Sequence, residues 1–490
     1  MASPLKDRSG ADIMRPVNQR VVIVGAGICG LTLGYHLARA GVPVTLLEKE
    51  ATVGGLARGF RYGDHAFDIG PHRFYSQVPH VVDFIDEVLG TDTSRIQRLS
   101  SVHFLGKYHL WPLQLGTLFR LPPSVSARAF VDLIQKSRDF DPSNPSFENY
   151  ILGRYGRTLY SLFFKGYTEK FLGIPAATTH SNWAKIGVER ATIDEKVNTA
   201  TITQLVKLML IPKQRELTFV YPPGGVHVFC EKLRAQLLEM GAEVRTGVVP
   251  RSLLSTDGEI KKVITSDGVI DASYLVWTAP LDELCEMTGL PDPDLDYLAL
   301  LLYNVTSKAP PRQKVQWCYY GAQDLIFSRI SYPGQFHAGM VPPGRGSMCV
   351  EVTCREGDER WRHPDRLIPD VRRDLVKADV IGSEDEIEGV HVERVPHAYP
   401  VYDIRYLEKL AVTEKRLQGW RNLSLAGRTG LFWYNNMDHS IENAFEVSKH
   451  VLASTVESQG GDARARMRQV LEELELKGVQ EARAVGAPRL

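Results

Sequence analysis

The apolar pattern along the chain changes period several times, and each change predicts an element. Val21-Val22-Ile23-Val24 is an unbroken β-branched run, which predicts a short strand buried on both faces. It leads through Gly25-Ala26-Gly27-Ile28-Cys29-Gly30 into apolar positions at Leu31, Leu33, Leu37 and Ala38, the spacing of a helix. Gly41 ends that helix, and Val42–Leu47 predicts a second strand closing on Glu48. Strand, tight turn, helix and strand within about 28 residues make a complete βαβ unit. Further along, Phe219–Pro222 reads as an extended entry into Gly224-Gly225, followed by a helix over Val228–Met240 and a strand over Glu243–Thr246. Lys262–Thr265 and Tyr274–Trp277 predict two more strands. Leu423–Ala426 predicts another, running into Gly427-Arg428, and Asp438–Leu452 predicts a helix.

Between these blocks, about 100–215 and 285–395 are richer in aromatics and prolines and lose the βαβ rhythm. The simplest architecture is therefore α/β, a nucleotide-binding domain assembled from separated segments with a second domain inserted between them. The boundaries fall at 20–100, 215–285 and 395–455 for the Rossmann-like domain, and at 101–214 and 286–394 for an α+β substrate domain. Residues 1–19 read as a flexible leader and 456–490 as a charged tail.

Composition narrows the function classes. Across 490 residues, Lys+Arg and Asp+Glu both number 58, so net charge is zero and no basic excess marks a nucleic-acid binder. The six cysteines are scattered, form no zinc-site spacing, and fit a reducing compartment. No apolar run reaches transmembrane length, and the N-terminal residues lack the apolar middle of a signal peptide. These features lead to the expectation of a cytoplasmic protein with a small-molecule substrate and no metal, and they are compatible with a homodimer. The apolar stripe Leu205–Ile211 leaves a membrane-touching face open beside the commoner reading of core.

Gly25-x-Gly27-x-x-Gly30 gains its meaning from the βαβ context. The first glycine permits the tight turn, the second lets a pyrophosphate approach the backbone, and the third lets helix pack on strand. Free N–H groups and the positive dipole end of the helix then face the phosphates. Glu48 closes the second strand, where a carboxylate accepts ribose hydroxyls. A bound dinucleotide follows from the arrangement.

Glu48-Lys49-Glu50-Ala51-Thr52-Val53-Gly54-Gly55-Leu56-Ala57-Arg58 adds a glycine pair and an arginine after the ribose carboxylate. With this segment the chain resembles the FAD-dependent amine oxidase and protoporphyrinogen oxidase superfamily, and within it the UDP-galactopyranose mutase-like branch. The resemblance implies FAD as cofactor, with Gly54 and Gly55 near its diphosphate and Arg58 helping to hold it. Phe67-Asp68-Ile69-Gly70-Pro71-His72-Arg73-Phe74 resembles the segment that passes the flavin, which implies that Gly70 and His72 lie against the ring. Gly427-Arg428-Thr429-Gly430-Leu431-Phe432-Trp433-Tyr434-Asn435-Asn436-Met437-Asp438 resembles the closing motif. There Gly427, Arg428, Met437 and Asp438 would meet the cofactor, and a helix N-terminus would favour its reduced state. Asp438 could also serve simply as the helix cap.

Substrate-side resemblances are Phe327-Ser328-Arg329-Ile330-Ser331, the Tyr167–Pro175 stretch, Trp183, Arg190 and Tyr399. They imply substrate contacts from Arg190, Arg329 and Tyr434, with His72, Arg329 and Tyr434 as catalytic candidates. Departures from the sugar mutase are Asp194 in place of a phosphate-binding arginine, Phe432 in place of an aromatic hydroxyl, and Asn436 in place of an acid. The expectation is thus an FAD-dependent oxidoreductase abstracting hydride from a polar, glycosyl or phosphate-bearing small molecule. The alternative is a redox-neutral pyranose–furanose mutase.

Overall fold

The computed structural model describes residues 20–111, 122–135, 140–184, 218–456 and 461–478. Two principal sheets organise it. The first has five strands, all parallel, in the order Leu423–Leu425, Tyr274–Trp277, Val21–Val24, Val44–Leu47 and Glu243–Arg245. Its central strands are fully buried, which is why they read as continuous apolar runs and not as alternation. The second expected strand starts at Val44, two residues later than its pattern suggested. Pro43 has no N–H to give a ladder, and its carbonyl instead accepts the Val21 N–H at 2.9 Å.

The helix Ile28–Arg39 crosses from the first strand to its neighbour and packs between the helices His227–Glu239 and Met437–Val456. One core cluster joins Leu31, Leu33, Leu37, Phe229, Leu233, Ile441 and Phe445. Burying each such side chain contributes about 1.5–3 kcal/mol, so this end of the fold rests on a rigid base. The tail forms a helix, Gly461–Gly478, whose Met467, Val470 and Leu474 join the same cluster.

The second sheet has seven strands and is mostly antiparallel. Tyr297–Ser307 lies next to one edge, pairing antiparallel with both Gly346–Cys354 and the edge strand Ile387–Pro400. Arg329–Ser331, Trp317–Tyr320, Ser100–Phe104 and Lys107–Trp111 extend it on one side. The strand Ile387–Pro400 runs through position 395, where the pattern placed a domain boundary, because its pairing with Tyr297–Ser307 continues to Pro400. Against this sheet lie the helices Phe147–Leu159 and Gly166–Leu172, joined by a wide π-helical turn over Tyr160–Lys165. Such turns shift side chains out of the regular helical row, and here Leu162, Phe163 and Phe164 line the cleft between the two sheets.

All six cysteines are buried and free. Among the described residues no helix is long and apolar enough to cross a membrane, and no cluster of His, Cys, Asp and Glu could hold a metal ion. Asp194 and the Leu205–Ile211 stripe lie outside the described residues.

Candidate active site

The two sheets enclose a cleft of about 460 Å³ that runs from the Gly25–Gly30 loop to the second sheet. At its mouth the glycines divide the labour unequally. Gly25 has φ +99°, a left-handed conformation costly for other residues, and an added Cβ would collide with Thr278. At Gly30 a Cβ would collide with the Gly25 carbonyl oxygen, so this glycine exists for the close approach of helix and loop. Gly27 differs. Its φ of −74° suits any residue, and a Cβ there would meet nothing nearer than Gly54 O and Gly55 Cα at 3.9 Å. A Cβ at Gly27 would make only ordinary van der Waals contact with the Gly54–Gly55 backbone, so the protein's own packing does not demand glycine there.

The second glycine pair closes the opposite wall. Gly54 N–H donates to Ala26 O at 2.8 Å, and Gly27 and Gly54 pair as a parallel bridge. Arg58 Nη1 donates to Gly55 O at 3.2 Å and lines the cleft beside them. Glu48, only 6% exposed, accepts the Ala26 N–H through Oε2 at 2.9 Å and the Glu50 N–H through Oε1 at 3.0 Å. Each carboxylate oxygen retains a lone pair for a ribose hydroxyl.

The helix Met437–Val456 presents its N-terminus to the same cleft, where Asn435, Met437 and Asp438 are lining residues. Because the helix begins at Met437, Asn436 occupies the position before the first turn and Asp438 lies inside that turn. The expected cap at Asp438 is therefore corrected. Asp438 instead places a carboxylate in the first turn, 3.4 Å from His439 Nδ1, where the dipole favours it. Asn435 is 3% exposed, and its Oδ1 accepts the Ser440 hydroxyl at 3.3 Å while its Nδ2 is buried without a partner. An orphan amide donor of this kind costs about 1–3 kcal/mol, which a ligand acceptor would offset.

His72 follows the turn at Gly70, whose φ is +69°. Burial, reinforced by Arg428, Arg329 and Arg73, pulls its imidazole down to about 3, so the ring is neutral at ordinary pH. Its Nδ1 is buried without a side-chain partner, the Ile69 backbone lies against the ring, and the residue lines the cleft. The Phe67–Gly70 segment is fixed from below by Asp68, whose carboxylate accepts the Tyr221 hydroxyl at 2.5 Å and the Val226 N–H at 3.1 Å.

Gly427 has φ +75° and its N–H donates to Asn443 Oδ1 at 2.8 Å, which turns the chain toward Arg428. Arg428 donates from Nε to Ala398 O at 3.1 Å and from Nη1 to Asn435 O at 2.6 Å. Its guanidinium lies 4.5 Å from the Tyr434 ring centroid and 4.8 Å from that of Tyr399. Trp183 stacks on Tyr434 at 5.0 Å, and Phe171 meets Tyr399 edge-on at 5.0 Å. Two tyrosine rings, each backed by a further aromatic ring, thus flank the guanidinium.

Arg329 is less free than its motif implied. It stands opposite Glu351 in the strand register and binds it bidentately, Nε to Oε1 and Nη2 to Oε2, both at 2.6 Å. Nη2 also donates to the Tyr399 hydroxyl at 2.7 Å. Its side chain is 11% exposed and that of Glu351 fully buried. Arg329 lines the cleft, but its charge is already balanced. Arg190 lies outside the described residues.

The geometry thus brings Gly25, Gly27, Glu48, Gly54, Gly55, Arg58, His72, Arg329, Gly427, Arg428, Tyr434, Met437 and Asp438 to one cleft. Gly30 and Gly70 stand behind its wall. Sequence reasoning missed Glu351, Asn435, Arg73 and Arg98. A lone glutamate in the buried run Gly346–Cys354 was a usable signal for Glu351, since a buried charge requires a partner.

Comparisons with known proteins place the chain's fold among known ones. The NAD(P)-binding Rossmann-like domain family matches residues 23–88. A 1-hydroxycarotenoid 3,4-desaturase from a Flavobacterium species is 22% identical over 301 residues, 56% of this chain and 57% of the desaturase. The matched region thus spans little more than half of that relative. A dTDP-fucopyranose mutase from Escherichia coli is 28% identical over 160 residues, covering 32% of this chain and 42% of the mutase. The crystal structure of a reduced UDP-galactopyranose mutase superposes with a TM-score of 0.76 at 21% identity, over 92% of this chain and 99% of the mutase. A structure from Exiguobacterium sp. 255-15, described as a protoporphyrinogen oxidase, superposes with a TM-score of 0.70 at 19% identity, over 88% and 98% of the two chains. The chain therefore shares the fold of the reduced UDP-galactopyranose mutase and of the Exiguobacterium structure, and within it residues 23–88 match a Rossmann-like domain.

Proposed function

We propose that the chain is an FAD-dependent oxidoreductase that removes a hydride from a polar, glycosyl or phosphate-bearing small molecule. The five-stranded sheet would hold the cofactor, and the seven-stranded sheet would carry the substrate wall. The observation that carries the reading is the double glycine cradle. Gly54 closes on Ala26 and pairs with Gly27, with Glu48 and the helix N-terminus at Met437 lining the same cleft. The second glycine pair with Arg58 is the segment whose resemblance to FAD-binding proteins favours FAD over a nicotinamide dinucleotide.

FAD bound there would supply the hydride acceptor; the protein supplies binding, orientation and electrostatics. Residues Gly27, Glu48, Gly54, Gly55 and Arg58 would hold the dinucleotide, and Asn435 Nδ2 and the amides opening the helix would face negative charge at its electron-rich edge. Neutral His72 would direct Nδ1 at a substrate or cofactor hydrogen-bonding group, and Tyr434 and Tyr399 would form the wall against which the substrate lies. Arg428, wedged between those rings, would set their spacing and add positive charge.

A redox-neutral sugar mutase is the second reading, favoured by the fold match to a UDP-galactopyranose mutase. The Arg329–Glu351 pair weighs against it, because the arginine expected to bind a sugar diphosphate is neutralised within the protein. Anaerobic mixing of oxidised holoenzyme with candidate sugars and sugar phosphates separates the two. The oxidoreductase reading predicts that a substrate bleaches the flavin and that admitted oxygen or a dye restores it. Turnover confined to prereduced enzyme, with no acceptor consumed, would overturn it in favour of the mutase.

A further inference from the structure

On the second-sheet side, the cleft holds positive charge that no ion pair among the described residues balances. Arg73 and Arg98 both line it, and both guanidinium carbons lie over the ring of Trp317, at 4.9 and 5.4 Å from its centroid. Neither arginine makes an ion pair among the described residues. Asp438 is the acid that acts on Arg73, and only the tyrosines Tyr319 and Tyr75 offset Arg98. Glu351, the fully buried acid of this region, is spent on Arg329. Arg98 Nε and Trp317 Nε1 are buried donors without partners. Burial and the adjacent Arg98 pull Arg73 down to about 10, the sign of a cation short of counter-charge.

Two like charges sharing one indole ring repel, and desolvation adds to the cost. Cation–π attraction of about 0.5–2 kcal/mol each recovers part of it. Guanidinium N–H groups that no described acceptor takes up can capture an oxyanion by paired hydrogen bonds. Trp317 is 1% exposed and held in the sheet beside Ser100, so the platform is rigid.

We propose that Arg73 and Arg98, mounted on Trp317, form an anion-recognition subsite that holds a carboxylate or phosphate of the substrate. This site takes over the role that Arg329, paired with Glu351, cannot fill. The inference rests on the oxidoreductase reading for the word substrate, and it narrows that substrate to an anionic sugar or phosphorylated small molecule.

The test titrates holoenzyme at fixed ionic strength with inorganic phosphate in one arm and acetate in the other. Tryptophan fluorescence and the flavin difference spectrum are the readouts. A saturable response to one anion identifies the group as phosphate or carboxylate, and Arg98→Gln should weaken it by about ten- to hundredfold with FAD content unchanged. Arg98→Lys, which keeps charge but not the fork, should recover part of the affinity. Absence of saturation with both anions, an unchanged titration in Arg98→Gln, or loss of FAD from a folded Arg98→Gln would each overturn the proposal. The last outcome would assign the arginine to the cofactor. Failure of the oxidoreductase reading would show differently, as wild-type holoenzyme whose flavin no substrate bleaches.

Discussion

Gly27→Ala and Gly30→Ala make a paired perturbation whose outcomes the geometry sets apart. At Gly30 the new methyl would overlap the Gly25 carbonyl oxygen and sit 3.1 Å from its carbon. Both are backbone atoms, so helix and loop must move apart. Overpacking of this kind costs about 1–3 kcal/mol or more, and the apo-protein should lose that much stability. At Gly27 the methyl makes only ordinary van der Waals contact, with its nearest neighbours at 3.9 Å, and the backbone conformation already suits alanine. Loss of glycine at a helix N-cap costs about 1 kcal/mol, and the stiffer unfolded chain returns about 0.4–1 kcal/mol. Apo stability should therefore change by less than about 1 kcal/mol. Cofactor binding should respond oppositely. The methyl occupies the room a phosphate needs, and forfeiting one charge-assisted hydrogen bond of about 1.5–3 kcal/mol weakens FAD by roughly ten- to hundredfold. Denaturant unfolding of the apo-proteins and flavin-fluorescence titration of FAD measure the two effects separately. A Gly27→Ala variant that binds FAD like the wild type, or that is destabilised as strongly as Gly30→Ala, would refute the reasoning.

Two other expectations follow from buried charge. Glu351→Gln leaves Arg329 buried against a neutral partner and should destabilise the protein by about 3–5 kcal/mol, whereas Arg329→Met/Glu351→Leu should cost less than that single change; unfolding midpoints decide, and a single substitution within about 1 kcal/mol of the wild type would contradict the burial argument. His72 is held down to about 3 against an unfolded value near 6.5. The unfolded chain therefore binds a proton below about pH 6.5 that the folded chain refuses, so His72 withdraws stability progressively as pH falls through that window. Labelled-imidazole NMR should show a neutral ring from pH 5 to pH 9, on the order of the range spanned by ordinary assays, and His72→Gln should flatten the acid limb of the stability curve. A His72 resonance titrating near 6.5 would contradict the burial assigned to it.

The cofactor half was legible because its signals are local. The strand Tyr274–Trp277 falls where its apolar run placed it, and the helix Met437–Val456 begins one residue before its expected start. Backbone demands at Gly25 and Gly30 are written into a six-residue loop and need no knowledge of distant chain. The second sheet was less legible. Tyr297–Ser307 is buried at every position, so its eleven residues show no alternation, and an apolar run of that length suits helix or strand equally. Its charged residues find partners far along the chain. Arg73 and Arg98 come together only on Trp317, and no spacing in the sequence foretells that platform. Arg329 carried the right motif, but the strand register that sets Glu351 opposite it, and so neutralises it, appears only in the fold.

The account rests most directly on the identity of what fills the cradle. Purified protein should be yellow or should become so on incubation with FAD, and heat release of the pigment should return about one FAD per chain, the stoichiometry of a single Rossmann cradle. Gly27→Ala handled in parallel should return much less. Protein that stays colourless under saturating FAD, or that takes up NAD(P) in its place with equal affinity, would contradict the central claim.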